Sequence, residues 1–122
     1  MTAAQRRKGA GAECELARLL TDALGIVVKR QLGQPRDGGA DIHIGRARIQ
    51  VKRCETVRLP EWWRQAVADA GTSVPVLAWR QSRQSWTFRM QVDDIFGRHP
   101  LSSSTCDMNL EAFCYVARER LL

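Results

Sequence analysis

Residues 39–53 read Gly-Ala-Asp-Ile-His-Ile-Gly-Arg-Ala-Arg-Ile-Gln-Val-Lys-Arg. Apolar and polar residues alternate on both sides of Gly45-Arg46, so the spacing predicts two strands, 40–44 and 47–53, joined by a tight turn. Alternation assigns the faces. Ile42 and Ile44 share one side, with Asp41 and His43 on the other. Ile49 and Val51 share one side, with Gln50 and Lys52 on the other. If Asp41 faces the same way as Gln50 and Lys52, the hairpin presents a carboxylate, an amide oxygen and an ammonium together. A half-exposed hairpin with one apolar and one polar side would show the same pattern and needs no site. That simpler account leaves Glu13 and the Asp37-Gly38-Gly39-Ala40-Asp41 approach unexplained.

Upstream, residues 11–24 read as a helix: Ala17, Leu20 and Leu24 follow Glu13 at spacings of four, seven and eleven, with Leu16 at three. At about 100° per residue, Glu13 falls inside this apolar stripe, whereas Glu15 lies about 200° away and is expected on the wet face. A carboxylate on a buried stripe needs a partner or a metal ion. A first-turn position favoured by the helix dipole, or an arginine partner, would serve as well. Gly25 ends the helix, residues 26–30 form a short strand, and 31–39, with Gly33, Pro35, Gly38 and Gly39, a loop.

After the hairpin, Leu59-Pro60-Glu61 opens a second helix that runs to about Ala70 and stops at Gly71. Residues 74–80 form an apolar strand and 85–91 a more amphipathic one; 92–97 suggest a helical turn. The serine-rich stretch 101–105 is the one linker-like segment, and the tail 110–121 fits either a helix or a strand. Helix, three strands, helix, then strands is the order of an α/β fold with a mixed central sheet flanked by helices. At 122 residues, one domain spanning 1–122 is expected.

Composition narrows the classes of function. No apolar run approaches the roughly 20 residues of a membrane span, and the basic N-terminus is not followed by a signal core. A soluble, cytoplasmic protein with no membrane partner is the expectation. Cys14, Cys54, Cys106 and Cys114 form no CxxC pair, and with His43 and His99 give no zinc-finger spacing, so free buried thiols are expected. The net charge is +6. Residues 1–53 hold 11 Lys/Arg against 5 Asp/Glu, whereas 54–122 hold 8 of each. A basic surface around a few acids suits a polyanion. The 16 arginines against 3 lysines fit bidentate phosphate contacts, although genome composition alone can produce that ratio. Two carboxylates, an amide oxygen and an ammonium can hold a divalent cation against a phosphodiester, which points to metal-dependent DNA cleavage.

The chain resembles the PD-(D/E)xK nuclease superfamily, and within it the archaeal-type Holliday-junction resolvases and their phage-borne relatives. The residues that carry the resemblance are Arg7-Lys8-Gly9-Ala10-Gly11-Ala12-Glu13-Cys14-Glu15-Leu16, then Gly39-Ala40-Asp41-Ile42, then Ile49-Gln50-Val51-Lys52. Val74-Pro75-Val76-Leu77-Ala78-Trp79 and Trp86-Thr87-Phe88 look like the later core strands of that fold, so the likeness spans roughly residues 6–92. The resemblance implies a restriction-endonuclease-like sheet. It implies Glu13 and Asp41 as metal ligands, joined by Gln50 and the Val51 carbonyl, and Lys52 as the catalytic lysine. Mg²⁺ or Mn²⁺ is the implied cofactor. Gln50 stands where the family usually has glutamate or aspartate. An amide oxygen can ligate a hard cation, but one negative charge is lost and weaker metal binding follows. Asp37 could restore that charge, although a turn-forming Asp before Gly-Gly is the plainer role.

Arg6, Arg7, Lys8, Lys29, Arg30 and Arg36 are the expected grips on the DNA backbone. Trp62 and Trp63 could stack on bases or simply pack at the core edge, and Gln65 could reach a phosphate. A resolvase implies branched DNA as partner and a two-fold homodimer. The alternatives are a nuclease of the same fold with another DNA substrate, nicking or restriction-like, and a DNA-binding protein whose site has decayed.

Overall fold

The computed structural model describes residues 3–32, 40–53, 55–98 and 103–122; the side chains of residues 3–10, 31, 32, 40 and 41 are outside the description. Among the described residues a six-stranded sheet runs in sequence order: β1 (Arg30–Leu32), β2 (Ala40–Ile44), β3 (Ala47–Arg53), β4 (Val74–Arg80), β5 (Thr87–Gln91) and β6 (Thr105–Met108). Every neighbouring pair is antiparallel except β3–β4, which is parallel over seven rungs from Ala47↔Val74 to Arg53↔Arg80. A parallel pair needs a crossover. Here α2 (Leu59–Ala70) supplies it, opened by Pro60 and closed at Gly71 with φ +58. The mixed sheet between helices expected from the order of elements is what forms.

The two sheet faces are covered differently. A short helix, α3 (Val92–Phe96), follows β5. Helix α1 (Ala3–Leu24) and helix α4 (Leu110–Val116), which continues into a π-helical turn (Ala117–Leu121), lie on one face. Ala12, Leu16 and Leu20 of α1 and Phe113, Ala117 and Leu121 join Ile42, Ile44, Ile49, Val76, Phe88 and Met90 in one buried cluster. Phe88 and Phe113 stack within it, centroids 4.3 Å apart. Asn109 caps α4 by accepting from the Ala112 amide at 2.8 Å. Arg118 donates to the Ala23 carbonyl at 2.7 Å, tying the tail to the end of α1. On the other face, α2 sets Ala66 and Ala70 on β4, whose Leu77 is fully buried there.

Several expectations need correction. Helix α1 begins at Ala3, not at residue 11, because no breaker stands before that point and Gly9 and Gly11 are tolerated within it. Residues 26–29 are not strand. The Thr21 hydroxyl accepts from the Val28 amide at 3.0 Å and donates to its carbonyl at 3.3 Å, so a helix side chain takes the backbone groups a sheet would use. Pairing starts at Arg30, where β2 comes alongside. The fifth strand begins at Thr87 rather than residue 85. The stretch read as linker-like leads into β6, which starts at Thr105 and pairs with β5. The tail is helical. Glu15 is not on the wet face: it is half-buried and paired with Arg80 at 3.0 Å. Cys114 is buried, but Cys14 is exposed and Cys106 half-buried. Cys54 is outside the described residues.

Candidate active site

The hairpin of β2 and β3 opens into a fork. Their ladder runs from Ile44↔Ala47 through His43↔Arg48 to Ile42↔Ile49 and stops. Beyond that rung β2 stays with β1, as Asp41 pairs Gln31 and Ala40 pairs Leu32. Strand β3 stays with β4, as Gln50 pairs Leu77 and Lys52 pairs Trp79. The residues singled out in the two strands thus sit where the sheet splits. In a two-residue hairpin the closing pair is of the hydrogen-bonded kind, and pairs then alternate. Counting from Ile44↔Ala47, the backbone N–H and C=O of Val51 are turned to the β2 side, just past the last rung.

The charged groups are held from both faces. Glu13 comes from α1 and is only 6% exposed, the one buried charged side chain among the described residues. Its carboxylate lies 3.6 Å from the Arg30 guanidinium. Arg30 stands opposite Ile42, the last rung before the fork. Glu15, two residues on, reaches the other prong and accepts from Arg80 at 3.0 Å. Helix α1 therefore spans the opening, with one carboxylate at each prong.

Gln50 and Lys52 point the other way, toward α2, as the alternation with Ile49 and Val51 requires. Gln50 donates from Nε2 to Oδ2 of Asp69 at 2.9 Å, and Lys52 Nζ lies 3.4 Å from Oε1 of Gln65. Arg48 donates to the Asp69 carbonyl at 2.5 Å. On the same face Arg89 lies over Trp79, 5.5 Å from its ring centroid, and pairs with Asp107 at 2.6 Å. That hydrogen bond raises the Arg89 pKa above its ordinary value.

The four singled-out side chains are thus not all on one side of the sheet. Gln50 and Lys52 share a face, as expected, and Glu13 approaches from the opposite one. Asp41 is placed by its backbone at the fork, but its side chain is outside the description. Among the described residues no three His, Cys, Asp or Glu side chains form a group able to hold a metal ion. A metal site here would therefore combine Glu13 with the Gln50 amide oxygen, a backbone carbonyl and Asp41. All four are oxygen donors, the kind a hard divalent cation takes.

Of the expected DNA grips, Lys29 is exposed and Arg30 faces Glu13. Arg6, Arg7 and Lys8 lie in the first turns of α1, with side chains outside the description, and Arg36 and Asp37 are outside the described residues altogether. Trp62 and Trp63 are both half-buried on α2. Asp69, which meets Gln50, is not among the residues singled out from the sequence, and Gln65, read there as able to reach a phosphate, meets Lys52. The signal available was their spacing of four on a helix whose buried face is known from Ala66 and Ala70.

The family model described as "Phage putative PDDEXK endonuclease" matches residues 4–115. The chain belongs to this family. Its sheet and flanking helices are accordingly a restriction-endonuclease-like α/β fold. Membership brings nuclease chemistry, DNA as the substrate class and the use of a divalent metal ion typical of such nucleases. No curated protein matches the chain, and no solved structure does. Among the described residues no helix is long and apolar enough to cross a membrane.

Proposed function

We propose that this PD-(D/E)xK nuclease is a structure-selective, Mg²⁺- or Mn²⁺-dependent endodeoxyribonuclease that cuts branched DNA, four-way junctions above all, as a cytoplasmic homodimer of one nuclease domain per chain. The observation that carries the nuclease site is the fork: the β2–β3 ladder ends at Ile42↔Ile49, beside Glu13 on one face and ahead of Gln50 and Lys52 on the other. At an ordinary point in a sheet the two faces are sealed from each other. Where two strands part, groups from both faces can address one ligand. Glu13, Asp41, Gln50 and the Val51 carbonyl would hold the ion there.

A bound divalent ion supplies Lewis-acid polarisation of the phosphate and lowers the pKa of a water molecule. Lys52 orients that water or stabilises charge building on the phosphoryl oxygens. Arg6, Arg7, Lys8, Lys29, Arg30 and Arg36 grip the flanking backbone, reading shape and charge rather than bases. The preference for junctions rests on the resemblance of residues 6–92 to resolvases, and the dimer on the two-fold symmetry of such a substrate.

Cleavage of a four-way junction, a flap and a linear duplex of equal length, with and without Mg²⁺, tests this. Paired symmetric cuts in the junction are expected, with the junction preferred over the flap and over linear duplex and no cutting without Mg²⁺. Equal cutting of linear duplex, or activity from a demonstrated monomer, would replace the resolvase reading with that of a same-fold nuclease of other substrate. Gln50 in place of an acid favours a second reading, a DNA-binding protein with a decayed site. Retained binding with no metal-dependent cutting of any substrate would select it.

A further inference from the structure

We propose that Asp69 is a positioning residue for the metal site: it fixes the Gln50 side chain so that the amide presents its oxygen, rather than its nitrogen, to the cation. The inference rests on the metal-dependent nuclease reading and explains how a glutamine can serve in a place that normally holds an acid. An amide has one end that can ligate a cation and one that cannot, and left alone it can turn either way round. An ionised carboxylate only accepts hydrogen bonds. Asp69 Oδ2 lies 2.9 Å from Gln50, so the group facing it must be the amide N–H₂, which leaves Oε1 on the edge away from Asp69.

The geometry of α2 makes this a fitted arrangement. Gln65 and Asp69 are four residues apart on the helix, a rise of about 6 Å. Lys52 and Gln50 are two residues apart on β3, a rise of about 6.6 Å. The two spacings match, and each strand residue meets one helix residue: Lys52 with Gln65, Gln50 with Asp69. Asp69 is also in a costly place. It stands in the last turn of α2, where the helix dipole disfavours an acid. Arg48 offsets this by donating to the Asp69 backbone carbonyl, which keeps the residue in position without occupying the carboxylate oxygen that meets Gln50.

The same contact makes Gln50→Glu a poor improvement by itself. It would set a second carboxylate against Asp69, and like charges at that distance raise the pKa of one of them. Asp69→Asn removes the charge and restores a donor. The substitution therefore has opposite effects in two backgrounds, which neither a ligand nor a purely structural residue would produce.

The test is Mn²⁺ binding to the full chain without DNA, followed by the electron-spin-resonance signal of the free ion, for four proteins: wild type, D69N, Q50E and the D69N/Q50E double variant. With Gln50 present, D69N is expected to weaken Mn²⁺ binding about tenfold, the usual scale for a group that orients a metal ligand. In the Q50E background, D69N is expected to tighten binding. Weakening in both backgrounds would make Asp69 a ligand itself and overturn the proposal. Unchanged affinity in both, with a lowered melting temperature, would make it structural and overturn the proposal equally. A wild type that binds no Mn²⁺ would sink both this inference and the metal-dependent reading; binding by the wild type with no sign change sinks this inference alone. Should D69N fold poorly, Asp69→Ser, which removes the charge and keeps a small polar side chain, replaces it in both backgrounds: weaker Mn²⁺ binding with Gln50 and tighter binding with Q50E are expected, and a change of the same sign in both, or none, overturns the proposal.

Discussion

Lys52 is a single ammonium on a strand, half-buried, with one long contact to Gln65. Little of the fold depends on it, so Lys52→Ala should leave stability within about 0.5 kcal/mol of wild type. It is also one cation among 19 Lys and Arg residues, so DNA affinity should scarcely change. Cleavage should fall by about a hundredfold or more, the scale of losing a group that stabilises transition-state charge. Single-turnover cleavage beside a binding titration checks this, and a variant that cuts at the wild-type rate would remove Lys52 from the site. Glu13 differs in kind. Its buried carboxylate faces Arg30, so Glu13→Ala would leave a guanidinium without its acid and cost stability as well as activity.

At the scale of elements, the turn between β2 and β3 also locks the C-terminus. Gly45 has φ +52, and a Cβ there would come within 1.9 Å of the Leu121 carbonyl oxygen. That carbonyl accepts from the Arg46 amide at 3.0 Å, while the Arg46 guanidinium donates to the Arg120 carbonyl at 2.7 Å. The Arg46 carbonyl in turn accepts from the Val74 amide at 2.8 Å, so one turn joins hairpin, tail and β4. Gly71 has a similar φ of +58 but open space around it. Gly71→Ala should cost about 1 kcal/mol for backbone strain alone, and Gly45→Ala about 2–3 kcal/mol through strain and displacement of the tail. Urea midpoints of the two variants measure the difference. Equal losses would mean that the tail contact contributes nothing.

For the whole molecule, the charge is lopsided: the excess lies in residues 1–53, the half that contains α1 and the forked hairpin. DNA affinity should fall steeply with salt as phosphate contacts release counterions. Replacing Arg6, Arg7 and Lys8 together by alanine should reduce the slope of log affinity against log salt by about two to three, if each neutralises one phosphate. Fluorescence anisotropy across a salt series gives the slope directly. An affinity indifferent to salt would argue against a backbone-gripping enzyme.

The sequence by itself determined the elements whose signal is local. β2, β3, α2 and β4 lie where alternation, Pro60 and Gly71 put them, because a strand's two-residue period and a helix's terminators are written in neighbouring residues. The same alternation gave Gln50 and Lys52 a common face, and the helical stripe marked Glu13 as buried. Tertiary structure alone decided what depends on partners far along the chain. β6 became strand because β5 offers it an edge, and even at seven residues' separation it took the folded turn after α1 to bring the Thr21 side chain onto the backbone of Val28 and leave residues 26–29 as loop. Glu15 left the solvent because Arg80, 65 residues on, meets it. Asp69 meets Gln50 across 19 residues because the β3–β4 crossover brings α2 over that face. Periodicity tells each side chain which way to face; what it meets there is fixed by strand register and helix packing, which no local pattern encodes.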